Sequence, residues 1–294
     1  MIVVTTPTGT IGRQVLDNVL GHGEAIRVIV RDPDRLPSHV REHIEVVPGS
    51  HGDAEVVHRA FAGADAVFWL VPPDPRAETV DAAYSGFTRP AAEAFQAQGV
   101  GRVVGVSALG RGLDVARHAG LVTASLAMDD LIAGTGVSYR ALTMPSFMDN
   151  ILRQTQAIKN EGVFSSPIAG DRKNPTCATR DIAATAARWL LDDSWTGVGP
   201  VPVLGPEDLS FNDMAQIMSE VLAKPVRFHQ IQGESFKARL MDYGSSEAMA
   251  QATLEMLVAK NNGLDTAEPR TPEATTPTSF RQWCQEVLKP AVGA

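Results

Sequence analysis

The first twelve residues constrain the fold more than any other segment. Met1-Ile2-Val3-Val4-Thr5-Thr6-Pro7-Thr8-Gly9-Thr10-Ile11-Gly12 is a short apolar run that passes into a turn with two glycines three residues apart. A helical pattern follows at once, with Ile11, Val15, Leu16, Val19 and Leu20 on one face, and then a second apolar run over 26–30 that ends in Arg31. Strand, glycine turn, amphipathic helix and second strand make a βαβ start. Its turn offers backbone N–H groups at a helix N-terminus, where a dinucleotide pyrophosphate is held. Gly9 lets the backbone approach phosphate without a Cβ, and Gly12 lets the helix lie close to the strand. Thr6 stands where the usual pattern has its first glycine, leaving T-x-x-G-x-x-G. Thr6, Thr8, Gly9, Thr10, Ile11 and Gly12 are therefore the candidate pyrophosphate-binding residues. The bland alternative is a tight strand-to-helix turn with no ligand; the flanking elements favour the nucleotide.

The same alternation continues. Apolar runs at 44–47, 66–71, 102–106 and 137–142 read as strands, with helical patterns at 53–62, 77–98 and 125–133 between them. This predicts an α/β fold with a Rossmann-type doubly wound parallel sheet, covered by helices on both faces. A helix over 180–191 and a strand over 200–204 are expected to return to that sheet. A helix over 211–222 with Ser210 as N-cap, a strand over 225–231, one long helix over 235–260, an irregular stretch over 265–279 and a last helix over 280–288 complete the expectation. The expected division is a nucleotide-binding domain over 1–150 with returns near 180–205, and a smaller α+β substrate lobe built mainly from 151–294. A length of 294 residues accommodates both.

Charge and composition exclude several classes. The net charge of −8 argues against a general nucleic-acid surface. Cys177 and Cys284 are isolated, so neither a zinc ribbon nor a disulfide framework is indicated. A reducing cytoplasm is the expected location, since the chain enters its first strand at once and has no signal-peptide pattern. The apolar runs are strand-sized, so no membrane span is expected. Of the 26 basic residues 20 are arginine, and the first lysine is Lys159, so the N-terminal half has no lysine for catalysis. His39 and His43 lack the glutamate of a zinc motif, and no metal site is expected.

Arg31 closes the second strand 19 residues after Gly12. An acid at this place would bind the ribose 2′-hydroxyl of NAD, whereas a guanidinium suits a 2′-phosphate by charge and geometry. Arg35 offers a second contact. NADP(H) is the expected cofactor, with Asp32 keeping NAD as the alternative. Asp32-Pro33 also reads as the cap and first residue of a helical turn.

At larger scale the chain resembles the NmrA-like branch of the atypical short-chain dehydrogenases, and within it the triphenylmethane-dye and quinone reductases. The likeness rests on Thr6-x-x-Gly9-x-x-Gly12, on the run from Val30 to Arg35, on Val47-Pro48-Gly49, on 61–68 and on Arg102-Val103-Val104-Gly105-Val106-Ser107. It continues through 139–150, Thr179-Arg180-Asp181-Ile182-Ala183, 209–215 and 276–280, so it covers nearly the whole chain. It implies cofactor contacts from Ser50 after the third strand, Val71 and Pro72 after the fourth, Ser107 at the end of the fifth and Pro145 after the sixth. It also implies a substrate wall at the nicotinamide end, for which Trp69, Phe147, Met148 and Met241 are the candidates.

The departures from that branch bear on chemistry. No Tyr-x-x-x-Lys pair exists: Tyr84, Tyr139 and Tyr243 are followed four residues later by Thr88, Thr143 and Glu247. The His-x-x-x-Glu of the dye and quinone reductases is replaced by Ser125 and Asp129. Ser107, as donor to a substrate oxygen, and Asp129 are the remaining catalytic candidates, and His118 lies in a loop nearby. Hydride addition to a conjugated acceptor gives a stabilised product whose proton can come from solvent. The expected activity is thus NADPH-dependent reduction of a planar conjugated substrate, a quinone or polyketide-like aromatic of secondary metabolism. A non-catalytic NADP(H)-sensing regulator, or a cofactor-assisted coupling or isomerisation enzyme, is the alternative. A small aromatic substrate is the expected partner, with no nucleic acid, no membrane and room for a homodimer.

Overall fold

The computed structural model describes residues 1–293. Seven parallel strands form the central sheet: β1 (Ile2–Thr5), β2 (Ile26–Val30), β3 (Glu45–Pro48), β4 (Ala66–Trp69), β5 (Arg102–Ala108), β6 (Ser138–Met144) and, after three strands outside this sheet, β10 (Val198–Pro202). Their order is β10-β6-β5-β4-β1-β2-β3. The chain leaves β1 toward β2 and β3, then crosses back to β4 on the other side of β1. That reversal opens a crevice at the carboxyl ends of β1 and β4, where open α/β sheets bind their ligands. The Thr5 hydroxyl holds the two strands together there: it donates to the Phe68 carbonyl at 2.9 Å and accepts from the Leu70 N–H at 3.1 Å.

Both faces of the sheet are covered, so β1, β2 and β4 are buried along their whole length. On one face Val4, Val28 and Val104 pack on Ile11, Val15 and Leu16 of the helix Thr10–Val19, and on Ile182 and Ala186 of the helix Thr179–Leu191. On the other, Val3, Val67 and Val103 pack on Phe61, Phe95, Met128 and Ile132 from the helices Ala54–Phe61, Phe87–Ala97 and Leu121–Ala133. Asp53 caps the first of these through the N–H groups of Glu55 and Val56.

The residues after β6 add two small sheets, of which sequence patterning finds only the strand expected over 225–231. β7 (Ser146–Phe147) and β9 (Asn174–Cys177) pair in parallel, and β11 (Asp208–Leu209) runs antiparallel to β9. β8 (Val163–Ser166) pairs in parallel with β12 (Arg227–Gln230). The two-residue strands β7 and β11 carry no readable period. Met148, Phe164, Met214, Met218, Phe280 and Trp283 form a separate apolar cluster beneath them.

The helix over 211–222 begins and ends as the sequence predicts, and Ser210 and Asp213 form a reciprocal capping box. Two other helices differ. The helical pattern over 77–98 starts only at Val80 and passes into a wider π turn at Ala82–Gly86, because 71–77 contains three prolines and makes a turn at Asp74–Ala77. The single helix expected over 235–260 is two helices, Gly233–Asp242 and Glu247–Asn261. Gly244 breaks it at φ +92°, a left-handed conformation that ends helices, and Ser246 caps the next one. No helix among the described residues is long and apolar enough to cross a membrane.

Candidate cofactor and substrate site

The glycine turn retains the nucleotide-binding geometry despite the missing first glycine. Thr6 takes φ 52°, the left-handed conformation a glycine would have supplied. A β-branched residue is strained there by about 1–2 kcal/mol. Gly12 is enforced more tightly: a Cβ on it would lie 2.1 Å from the Thr6 carbonyl oxygen. The helix Thr10–Val19 has no side chain capping its N-terminus and no acid in its first turn. Its first N–H groups, on Thr10, Ile11 and Gly12, are thus left for an anion. The Thr6 hydroxyl beside them is buried with no partner.

Arg31 and Arg35 are exposed at the end of β2, and neither is paired with an acid among the described residues. Asp32 instead caps the Pro33–Arg35 turn through the Asp34 N–H at 3.1 Å. Its carboxylate is already used locally, which weakens the case for an NAD ribose contact. Ser50 is half-buried after β3, Val71 half-buried and Pro72 exposed after β4, and Pro145 buried between β6 and β7. All lie at the carboxyl edge of the sheet.

His51, next to Ser50, was not singled out by the sequence. It is buried against Trp69 and Phe87, with ring centroids 5.2 and 4.8 Å away, and its Nε2 lies 3.0 Å from the Leu70 carbonyl. Burial, with a smaller contribution from the Arg31 charge, lowers its pKa from 6.5 to about 4. His51 is therefore a neutral donor that ties the β3 and β4 ends together. A histidine directly after a strand-end Gly-Ser is the signal that was available.

The two catalytic candidates face each other rather than a substrate. Ser107 Oγ donates to Asp129 Oδ2 at 2.5 Å, and the Tyr139 hydroxyl donates to Asp129 Oδ1 at 2.7 Å. Arg111 Nη2 adds a longer contact of 3.5 Å. All three hydroxyl and carboxyl groups lie under the helix Leu121–Ala133, with Ser125 buried one turn earlier. Burial raises the Asp129 pKa while the Ser107 and Tyr139 bonds and Arg111 oppose it, and burial together with Asp129 pushes Tyr139 well up. The Ser107 hydroxyl, expected to face a substrate oxygen, is directed at Asp129. His118 is exposed on the Asp114–His118 turn and takes no part.

A cavity of about 320 Å³ lies between the small sheets and the helices Gly233–Asp242 and Glu247–Asn261. This is within the range of small-molecule sites. Phe147 and Met148 line it, together with Phe164, Phe211, Phe236 and Met256. Phe147 directly follows Pro145-Ser146 at the end of β6, so the cavity begins where the nicotinamide end of the cofactor crevice is expected. Two substrate candidates lie outside this cavity. Trp69 is fully buried in the sheet core, its indole N–H donating to Thr88 Oγ1 at 3.2 Å. Met241 is exposed, whereas its neighbours Leu240 and Tyr243 line the cavity.

A family profile described as NAD(P)H-binding matches residues 7–193. The chain belongs to the NAD(P)H-binding family. A relative from Streptomyces griseus, named (4-alkanoyl-5-oxo-2,5-dihydrofuran-3-yl)methyl phosphate reductase, is 29% identical over 97% of both chains. Quinone oxidoreductase 2 of Escherichia coli is 23% identical over 90% of this chain and 89% of its own. The fold matches that of Citrobacter sp. triphenylmethane reductase complexed with NADP(H), with a TM-score of 0.80 at 21% identity over 99% and 100% of the two chains. The atypical short-chain dehydrogenase likeness and the Rossmann-type fold expected from sequence are thus both found.

Two outcomes check this geometry. Thr6→Gly relieves the left-handed strain but loosens the unfolded chain, and should stabilise the protein by about 0.5–1 kcal/mol in denaturant unfolding. A clear destabilisation would mean that the turn is not strained. His51 binds fewer protons folded than unfolded between pH 6.5 and about 4. Stability should therefore fall by about 3 kcal/mol as pH drops through that window. His51→Asn should flatten that slope, and an unchanged slope would contradict the assignment.

Proposed function

We propose that the protein is an NADPH-dependent reductase of a small, planar, conjugated electrophile. The observation that carries this is a largely apolar cavity of small-molecule size that starts at Phe147, on the rim of an intact dinucleotide turn. The relatives' names, reductases of a dihydrofuran phosphate, a quinone and an azo compound, support the same class. A regulator would need no such enclosed space beside the cofactor crevice.

The N–H groups of Thr10, Ile11 and Gly12 would hold the pyrophosphate, and Arg31 with Arg35 the 2′-phosphate. When bound, the reduced nicotinamide supplies the hydride. Phe147 and its apolar neighbours orient the acceptor and keep bulk water from its reacting face. The chain has no Tyr-x-x-x-Lys pair, and the Asp129 carboxylate is engaged by Ser107, Tyr139 and Arg111. The substrate class must therefore be one whose reduced form is stabilised by conjugation and takes its proton from water. Asp129 acts as a positioning residue that fixes the end of β5 to β6.

The test is turnover of 1,4-naphthoquinone with NADPH, and cofactor affinity by calorimetry. NADPH should bind more tightly than NADH, and Arg31→Ala should cost about 1–3 kcal/mol of NADPH affinity while leaving NADH little changed. Phe147→Ala should weaken naphthoquinone binding and spare NADPH. Equal affinity for both cofactors, or no hydride transfer to any quinone or conjugated enone, would overturn the proposal.

A further inference from the structure

One wall of the cavity is not apolar. Arg153, Arg172, Arg239 and Lys260 border the cavity, and Asp265 is the one acid among its lining residues, in a chain whose net charge is −8. Arg153 and Arg239 are exposed, whereas Lys260 and Asp265 are 4% and 2% exposed and form an ion pair at 2.5 Å. Arg172 comes from the loop between β8 and β9. It is half-buried, has no acid partner among the described residues, and donates from Nη2 to Thr266 Oγ1 at 3.3 Å. The Ala169 N–H donates to Asn261 Oδ1 at 2.9 Å, which ties that loop to the end of the Lys260 helix. Two distant stretches of the chain, 169–172 and 260–266, are thereby held together.

The same wall, which includes β9 where Thr176 pairs with Ser146, carries polar atoms that are buried and unpaired. Arg172 Nε, Asn174 Oδ1, Thr176 Oγ1 and Asp265 Oδ1 all lack a hydrogen-bond partner, and all four residues line the cavity. Thr176 is 6% exposed. Buried polar groups are costly to leave unpaired, so a cluster of them on a cavity wall marks where a ligand's polar group belongs.

The mixture of donors and acceptors defines that group. Arg172 and Lys260 supply positive charge and N–H donors, and Thr176 supplies a hydroxyl. A carboxylate or sulfonate would satisfy these but would place a bare negative oxygen against Asp265 Oδ1. A phosphate monoester in its monoanionic form keeps one proton, which it can donate to that oxygen. Phosphate loses this proton near pH 6, so the monoanion is accessible close to neutrality. We propose that this wall of the cavity binds the phosphate of a phosphate-monoester substrate, with Arg172, Lys260 and Thr176 as donors and Asp265 as acceptor. The conjugated part of the molecule then lies against the cavity's aromatic side chains, Phe147 among them. The inference rests on the reductase reading for the fate of the substrate, but not for its binding.

The probes are phenyl phosphate and benzenesulfonate, which share a ring and a tetrahedral oxyanion and differ in the proton. Each is titrated by calorimetry at about pH 6 into protein saturated with NADP+, so that the cofactor's own phosphate positions are filled. Phenyl phosphate should bind about tenfold more tightly than benzenesulfonate, and Arg172→Gln, at a half-exposed loop position, should weaken it about tenfold. Asp265→Asn should narrow the preference between the two anions. Equal binding of both anions, binding indifferent to Arg172→Gln, or no binding to the NADP+ complex would overturn the proposal. Because calorimetry needs no turnover, a protein that binds phenyl phosphate yet reduces nothing refutes the reductase reading alone. One that reduces naphthoquinone but ignores phenyl phosphate refutes the phosphate site alone.

Discussion

The contact between the Thr6 carbonyl and Gly12 is the constraint on which the molecule is arranged. With no space for a Cβ at Gly12, the helix Thr10–Val19 can lie against the carboxyl end of β1. That fixes the face on which Ile11, Val15 and Leu16 meet Ile182 and Ala186, and so the docking of the returning helix Thr179–Leu191. The same approach leaves the helix N-terminus bare at the crevice between β1 and β4. Packing and cofactor binding thus follow from one turn, and the strain at Thr6 is offset by the docking it permits.

The helix before the sixth strand carries Ser125 and Asp129 where the family resemblance implies a histidine and a glutamate. Asp129 reaches inward to Ser107 and Tyr139 and clamps β5 to β6. On the proposed reductase reading, the acceptor is then one whose reduced form is stabilised by conjugation. The cavity supplies aromatic side chains that include Phe147 and cationic ones from Arg172 and Lys260.

The Rossmann half was legible because its signals are local. Four-residue apolar strands, a glycine turn and amphipathic helices each declare themselves within a short window, and Arg31 lies at a fixed distance from the turn. The helix over 211–222 announced itself through Ser210 and Asp213. The lobe was less legible because its contacts are between distant segments. Arg172 and Lys260 are 88 positions apart by their numbers in the sequence, and nothing near either one marks it as part of a cavity. Met241 reads as a substrate-wall residue, but it lies exposed while Leu240 and Tyr243 beside it line the cavity. Trp69 shows the same limit: its place in a strand is visible in sequence, but which face of the sheet it fills is not.

The central claim is that the cofactor's reactive end and the lobe cavity form one site. The direct measurement is an interligand nuclear Overhauser effect in a mixture of protein, NADP+ and 1,4-naphthoquinone, two oxidised molecules that do not react with each other. The account predicts cross-peaks between the nicotinamide ring protons and the quinone ring protons, lost when Phe147 is replaced by alanine. If saturation transfer shows both ligands bound and no such cross-peak appears, the cavity is not the place where hydride is delivered, and the account is contradicted.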